Sequence, residues 1–471
     1  MIRSALRHPW LVLLLIALLA MMVRSVPFQF EGLVDPDAHF HARLSDNIAS
    51  SQSLLEWDFL SMQGRVYSYP PLLHVLVGTL ALLTGLSSLL VLKILGVLVG
   101  GLFVFAVYRL AHHLSQSQGM AVWSALFAGM TTIYAWRTAA FLRPDSLATL
   151  MIPFLLYLWV SRREIPALVG SVALVLLHPL SAVVYAFLLM GMLGVAMFRR
   201  HHVSLFLPLA LVGMLLTFFL WIHSIGLPFS DYISPVSLDA SELTPFWVLG
   251  IVLFFPFVWA LGLAGLVKGK PHEYVLVWFF LAFIAAAFGM RLVNYLTPFL
   301  AILGGYGMMW VISHIHSLKR GLPILGGMML LLGIVVVGQI MSAENPYVHP
   351  AEHAALTFIQ TNTPSDAVIL TIWDQGHVMT YYTKRPVVID GYFEFAPDLD
   401  RRNAIMGEAF YSSNCQTVSH ALQSFRATHL YLPQDELYSR SVELGLLDLS
   451  PCEQLSLVHS SEHARVYAVN G

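Results

Sequence analysis

Long apolar runs dominate the chain, broken by short polar turns. Runs of spanning length fall near 88–110, 119–140, 146–161, 165–179, 180–198, 202–222, 245–266, 272–290, 292–315 and 321–341. The opening MIRSALRHPWLVLLLIALLAMMVR places basic residues before another such run, and an uncleaved first span is expected there, which makes eleven. The stretch 70–86 is apolar too, but it begins after Tyr69-Pro70-Pro71 and contains His74. It is read as lying on, or dipping into, the outer leaflet. After about Glu344 the pattern changes: AVILTIW (367–373), PVVID (386–390) and THLYL (428–432) read as strands, and AEHAALTFIQ (351–360) and RRNAIMGEAF (401–410) as helices. A hairpin near 455–469 closes this segment. The fold class expected is a polytopic α-helical membrane protein with a small C-terminal extracytoplasmic α/β domain. The transmembrane domain covers 1–343, with outer loops 24–87 and 223–245, and the outer domain covers 344–471.

Composition agrees with that division. Of 471 residues 57% are hydrophobic and only 11% charged, against about 25% in soluble domains. Such a chain cannot cover a water-facing surface, and a net charge of −2 offers no basic footprint for nucleic acid. Charge also tests the topology. With 70–86 not crossing, Arg109, Arg162, Arg163, Arg199, Arg200, Lys268, Lys270, Lys319 and Arg320 all fall on the cytoplasmic side. If 70–86 crosses, these clusters land outside, against the positive-inside rule. A multi-pass cell-membrane protein in contact with lipid is the expectation. The two cysteines, Cys415 and Cys452, both lie in the outer segment, where an oxidising compartment would let them pair.

The outer loops then collect acids. Asp35-Pro-Asp37-Ala-His39-Phe-His41-Ala-Arg43 follows the first span, Arg143-Pro144-Asp145 stands at a later boundary, and Asp231, Asp239 and Glu242 lie in 223–245. Closely spaced oxygen donors suit Mg²⁺ or Mn²⁺. The plainer reading makes Asp35 or Asp37 a helix N-cap, Asp145 a carboxylate facing a helix dipole, and 223–245 a connector. Arg291 begins a span at the same depth, where it snorkels or holds a phosphate. His39, His178, His223 and His377 read as loop or interfacial residues.

The order of these motifs resembles the catalytic subunit of the oligosaccharyltransferases, the single-subunit archaeal and bacterial enzymes of the C-type glycosyltransferase superfamily. Asp37, His41 and Arg43 match that family's first-loop Asp-x-x-x-His-x-Arg, which favours Asp37 over Asp35. Tyr69-Pro70-Pro71-Leu72 resembles its outer-loop helix, and 241 SELTP 245 its mobile Ser-Glu loop. Arg291-Leu292 resembles its arginine-bearing span. Trp373, Asp374 and Gly376 match its Trp-Trp-Asp-Tyr-Gly signature, with Ile372 and Gln375 in place of the first tryptophan and the tyrosine. In the second acidic motif Asp145 matches, but Leu147 stands where a second acid or histidine is usual.

The resemblance implies an inverting glycosyltransferase that moves a glycan from a polyprenyl phosphate or pyrophosphate donor to asparagine of an acceptor polypeptide. It implies Asp37, Asp145 and Glu242 as ligands of Mn²⁺ or Mg²⁺, with Asp37 and Glu242 also engaging the acceptor nitrogen. Arg291 would stabilise the leaving phosphate, His41 and Arg43 would contact substrate, and Trp373, Asp374 and Gly376 would select the acceptor. Two rival readings stand beside it. The altered Ile-Trp-Asp-Gln-Gly loop fits a related membrane transferase with a non-sequon acceptor, and Leu147 fits a non-catalytic relative that binds lipid-linked glycan.

Overall fold

The computed structural model describes residues 9–25, 28, 32, 35–130, 142–200, 204–224, 256–288, 292–314, 348, 350–393, 396–411, 414–433, 449, 452–461 and 463–470. Glu242, Arg291 and the run 321–341 lie outside the described residues.

The first described helix, α1 (Pro9–Arg24), is followed by two helices of the expected outer loop, α2 (Pro36–Ser51) and α3 (Leu72–Thr84). Next come α4 (Ser88–Ser115), α5 (Gln118–Gly129), α6 (Pro144–Val160), α7 (Glu164–Leu177), α8 (Pro179–Phe198) and α9 (Phe206–Ser224). The helical part ends with α10 (Pro256–Lys268), α11 (Glu273–Phe288) and α12 (Val293–His314). Among the described residues, α4, α8, α9 and α12 are long and apolar enough to cross a membrane singly, and α1, α6, α7, α10 and α11 are shorter apolar helices. Leu11, Leu14, Leu15 and Leu18 of α1, and Leu215 and Leu216 of α9, are exposed, as a lipid-facing surface requires.

Glycine sets the closest helix crossings. A Cβ at Gly265 of α10 would meet the α12 backbone at Gly307 N (2.8 Å), and one at Gly305 would meet Met120 O of α5 at 2.8 Å. Backbones approach this closely only where at least one of the two helices carries no side chain at the contact.

Helix α3 has 13 residues. At 1.5 Å per residue it is about 20 Å long, short of the ~30 Å hydrocarbon core. It starts after Pro71 and stops at Gly85, whose φ of +72° ends the helix in a left-handed residue. It packs on α2, and Gly78 makes the crossing tight: a Cβ there would lie 2.7 Å from Ser45 O and 2.9 Å from Ile48 Cβ. One turn earlier on the same face stands His74.

The C-terminal segment forms a mixed four-stranded sheet, in the order β3 (Ile369–Leu370), β4 (His429–Pro433), β6 (Ala464–Val469), β5 (Leu455–Ser460). β3 runs parallel to β4, and the expected hairpin is the antiparallel pair β5–β6. Alternation along β4 divides the core. Leu430 and Leu432 face a cluster with Val418, Leu422 and Phe425. Tyr431 faces the opposite cluster with Ile359, Val378 and Val466. The helices are α13 (Pro350–Asn362), α14 (Gly376–Thr383), α15 (Leu399–Tyr411) and α16 (Cys415–Ser424). The segment 386–390 is not the strand its β-branched run suggests: it joins the sheet only through a parallel bridge between Val387 and Ile369. Cys415 and Cys452 are joined in a disulfide.

A short hairpin of the first outer loop, β1 (Trp57–Asp58) with β2 (Arg65–Val66), clamps this domain onto the helices. Val387 N donates to Leu60 O (2.9 Å), Gln63 Nε2 to Phe425 O (2.6 Å), and Arg65 Nη1 to Tyr392 O.

Candidate active site

The first-loop acids are sorted by helix capping. Asp35 is the N-cap of α2, in extended conformation (φ −143°, ψ 130°), and its carboxylate accepts from Asp37 N at 2.8 Å; Pro36 fills the first turn. Its other oxygen pairs with Arg143. Asp37, two residues further on, is a third exposed (34%) where Asp35 is 12%, and its carboxylate lies 3.8 Å from Arg143 Nη1. Asp37 therefore faces outward while Asp35 is spent on the helix end and the guanidinium.

Arg143 is itself the N-cap position of α6, with Pro144 next and Asp145 in the first turn. The positive end of α6 favours a carboxylate there. Asp37 and Asp145 both line one cavity of about 170 Å³, together with Arg143, His41, His178 and His377. Tyr69, Tyr295, Tyr392 and Trp221 supply aromatic walls. Residues of two separate loops and of the C-terminal domain thus meet at one cavity. Among the described residues no three His, Cys, Asp or Glu side chains cluster as a metal site. Asp37 and Asp145 both line this cavity and carry the hard carboxylate oxygens that Mg²⁺ or Mn²⁺ takes.

Below the cavity floor lies a buried polar layer. His39 Nδ1 is bonded to Asp35 O at 3.0 Å, which fixes its proton on Nδ1, and its Nε2 is buried without a hydrogen-bond partner. His41 Nδ1 lies 2.8 Å from His74 Nε2, and His74 Nδ1 lies 2.7 Å from the Tyr67 hydroxyl. Burial, with the neighbouring His74, pushes His41 well below the ordinary imidazole range. Burial and Arg43 lower His74 to about 3. Both imidazoles are therefore neutral at physiological pH.

Arg43 departs from expectation. It does not line the cavity; its guanidinium grips Asp58 with two bonds of 2.8 and 2.5 Å, both side chains buried. Asp58 also accepts from Leu60 N (3.1 Å) and Ser61 N (3.3 Å). Burial alone would raise the Asp58 pKa, but Arg43 and these donors hold it below the usual carboxylate range. Arg43 fixes the β1–β2 hairpin to α2 through Asp58.

The loop expected to select the acceptor lies on the C-terminal domain. Trp373–Gln375 form a single 3₁₀ turn between β3 and α14. Trp373 is 43% exposed and packs on Phe393, with ring centroids 5.5 Å apart. Gly376 is demanded by packing: a Cβ would lie 2.6 Å from Asp390 Cα and closer still to Ile389 O. Neither Trp373 nor Asp374 lines the cavity; His377, the residue after Gly376, does. His377 is buried against Phe40 (ring centroids 4.9 Å), and its Nδ1 stands 4.0 Å from a carboxylate oxygen of the fully buried Asp390.

Several of these residues were not legible as site residues. His178 caps α8, its Nδ1 accepting from Ser181 N (3.3 Å), and lines the cavity; the Pro179 that follows was the available signal. Tyr67, Asp58, Asp390 and Tyr392 are placed only by tertiary packing. His223 lies at the exposed end of α9.

Comparison with known proteins bears on the fold. The model of the Alg9-like mannosyltransferase family matches residues 12–227. The apo oligosaccharyltransferase of Archaeoglobus fulgidus superposes with a TM-score of 0.70 at 14% identity, over 97% of this chain and 74% of that one. ArnT from Cupriavidus metallidurans bound to undecaprenyl phosphate superposes with a TM-score of 0.64 at 16% identity, over 98% of each chain. The fold is the one these transferases share. In sequence, the chain is 33% identical over 94 residues to dolichyl-phosphooligosaccharide-protein glycotransferase 2 of Pyrococcus furiosus. It is 32% identical over 120 residues to a dolichyl-phosphooligosaccharide-protein glycotransferase of Methanocaldococcus jannaschii. Those matches span 20% and 24% of this chain and 12% of either relative's length.

Proposed function

We propose that this is a metal-dependent, inverting glycosyltransferase of the cell membrane. It transfers a glycan from a polyprenyl phosphate or pyrophosphate to asparagine of an acceptor polypeptide, at the extracytoplasmic face. The observation that carries the reading is the meeting of Asp37 and Asp145, from separate loops, at one cavity beside Arg143. An oligosaccharyltransferase of the same fold is recorded with an inhibitory peptide and a dolichol phosphate, and ArnT with undecaprenyl phosphate. The Cys415–Cys452 disulfide supports an oxidising compartment for the outer domain.

In this mechanism Asp37 and Asp145 would hold Mn²⁺ or Mg²⁺, with Glu242 as a third ligand, and the ion would supply charge neutralisation at the leaving phosphate. Asp37 and Glu242 orient the acceptor amide; its nitrogen bonds to the anomeric carbon as the carbon–oxygen bond to the phosphate breaks on the opposite face, and the amide proton passes to one of these carboxylates. Arg291 holds that phosphate, as a bidentate guanidinium does. Trp373 and Asp374 lie on the outer domain, where the acceptor chain approaches.

One observation favours a second reading. Ile372 and Gln375 replace two signature residues, and the chain corresponds end to end with ArnT, a protein of similar length. A non-sequon acceptor is consistent with both. The deciding experiment supplies the detergent-purified protein with a lipid-linked glycan extract, Mn²⁺ and a fluorescent Asn-x-Thr peptide, beside its Asn→Gln counterpart. A mass gain on the Asn peptide alone is expected. Consumption of the donor with neither peptide modified would transfer the assignment to a different acceptor.

A further inference from the structure

Two imidazoles on the cavity wall are held in one tautomer by hydrogen bonds that start from outside the cavity. His178 Nδ1 receives the backbone N–H of Ser181 at 3.3 Å, and a backbone amide can only donate. The Ser181 hydroxyl lies 2.6 Å from the same nitrogen and 2.5 Å from the Tyr295 hydroxyl. Nδ1 is thus an acceptor, and the proton of neutral His178 resides on Nε2.

The same logic runs through α2 and α3. The Tyr67 hydroxyl is 2.7 Å from His74 Nδ1, and His74 Nε2 is 2.8 Å from His41 Nδ1. A phenol is the stronger donor of this pair and an imidazole nitrogen the stronger acceptor, so Tyr67 donates. His74 Nδ1 then carries no proton, His74 Nε2–H donates to His41 Nδ1, and the His41 proton sits on Nε2. His41 Nδ1 is occupied by His74, which leaves Nε2 as the nitrogen offered to the cavity that His41 lines.

We propose that the Tyr67–His74 wire fixes His41 as a neutral Nε2–H donor which, with His178 facing the same cavity, hydrogen-bonds a phosphate oxygen of the polyprenyl-linked donor. Tyr67 and His74 are positioning residues acting through His41. The inference rests on the function proposed above and adds to it the part of the cavity that grips the anion without adding charge. A neutral donor holds the phosphate beside the cation-binding carboxylates without competing electrostatically with the metal. Gly78 is what admits the wire, since any larger residue there would push α3 off α2 and part His74 from His41.

The probe is a polyprenyl monophosphate carrying no sugar, titrated into the detergent-purified full chain. Wild type, Tyr67→Phe, His41→Gln and the double variant are compared. Tyr67→Phe removes the first donor, His74 is free to protonate on Nδ1, and His41 turns its lone pair toward the phosphate. Binding is expected to weaken about tenfold, the loss of one hydrogen bond to a charged group, with KM for the acceptor unchanged. Glutamine at position 41 donates whatever His74 does. In the His41→Gln background Tyr67→Phe is therefore expected to cost nothing. Equal losses from Tyr67→Phe in both backgrounds would overturn the wire, because a merely structural tyrosine would act independently of His41. Unchanged binding by Tyr67→Phe would overturn it too. Failure of wild type itself to bind the polyprenyl phosphate would overturn the functional reading on which the proposal rests.

Discussion

Removing the Asp58 carboxylate tests the structural role given to Arg43. In wild type the carboxylate accepts two bonds from Arg43 and two from the Leu60 and Ser61 amides, all within 3.3 Å. Asp58→Ala leaves a guanidinium whose side chain is 7% exposed facing an empty space, and two backbone donors without their acceptor. Breaking one side of a buried ion pair costs about 3–5 kcal/mol. At about 1.4 kcal/mol per tenfold, that is roughly two to four orders of magnitude in the unfolding equilibrium. Replacing both partners, Arg43→Met with Asp58→Leu, removes the stranded charge and should recover most of the loss. Denaturant unfolding in detergent, followed by tryptophan fluorescence, reads all three proteins. Affinity for the lipid donor, measured on the folded fraction, should stay within about twofold of wild type for the double variant. An Asp58→Ala protein within about 1 kcal/mol of wild type would refute this reasoning. So would a stable double variant that no longer binds donor, which would return Arg43 to the substrate.

Other consequences can be checked separately. His74 is held near 3, below its ordinary 6.5, so the unfolded chain takes up a proton below pH 6.5 that the native chain refuses. Stability should therefore fall as pH drops from 6.5 toward 3, by about 1.4 kcal/mol per pH unit for this group, and His74→Gln should show a shallower pH dependence of its unfolding midpoint. Reducing the disulfide, or Cys415→Ser, opens a link across a separation of 37 residues; a loop of that size implies about 4 kcal/mol, read as earlier proteolysis of the outer domain. Gly376→Ala drives a methyl into Ile389 and Asp390; a cost of about 1–3 kcal/mol is expected, with displacement of the Trp373 turn visible as a change in its fluorescence.

Much of the fold was legible because lipid and water impose opposite patterns. Long apolar runs located α4, α8 and α12, and the stretch 70–86, set off by its proline and histidine, forms the 13-residue helix α3. Period-two alternation located β4 and the β5–β6 hairpin. It failed at 386–390, where Val387, Val388 and Ile389 are buried as a strand would be but the chain makes a single bridge and turns at Gly391 toward the cavity. Asp37 and Asp145 stand out in sequence because acids beside a span are costly, and the fold brings both to the same cavity. The pairing of Arg43 was not legible: sequence shows a charge near the site but not the partner, Asp58, that holds it. The wire through Tyr67 and His74 was hidden because it depends on α2 and α3 touching at Gly78, a contact between segments about 30 residues apart.

The central claim is that Asp37 and Asp145 form one metal-dependent transfer site. The most direct measurement is the rate of lipid-linked donor consumption against Mn²⁺ concentration for wild type, Asp37→Asn and Asp145→Asn. Each neutral amide keeps the shape of the carboxylate it replaces and removes its charge. The account predicts saturable Mn²⁺ dependence in wild type and, in both variants, a rate lower by at least about a hundredfold, the scale of losing one electrostatic stabiliser of the transition state. Turnover that is indifferent to Mn²⁺, or that survives both substitutions, would contradict it.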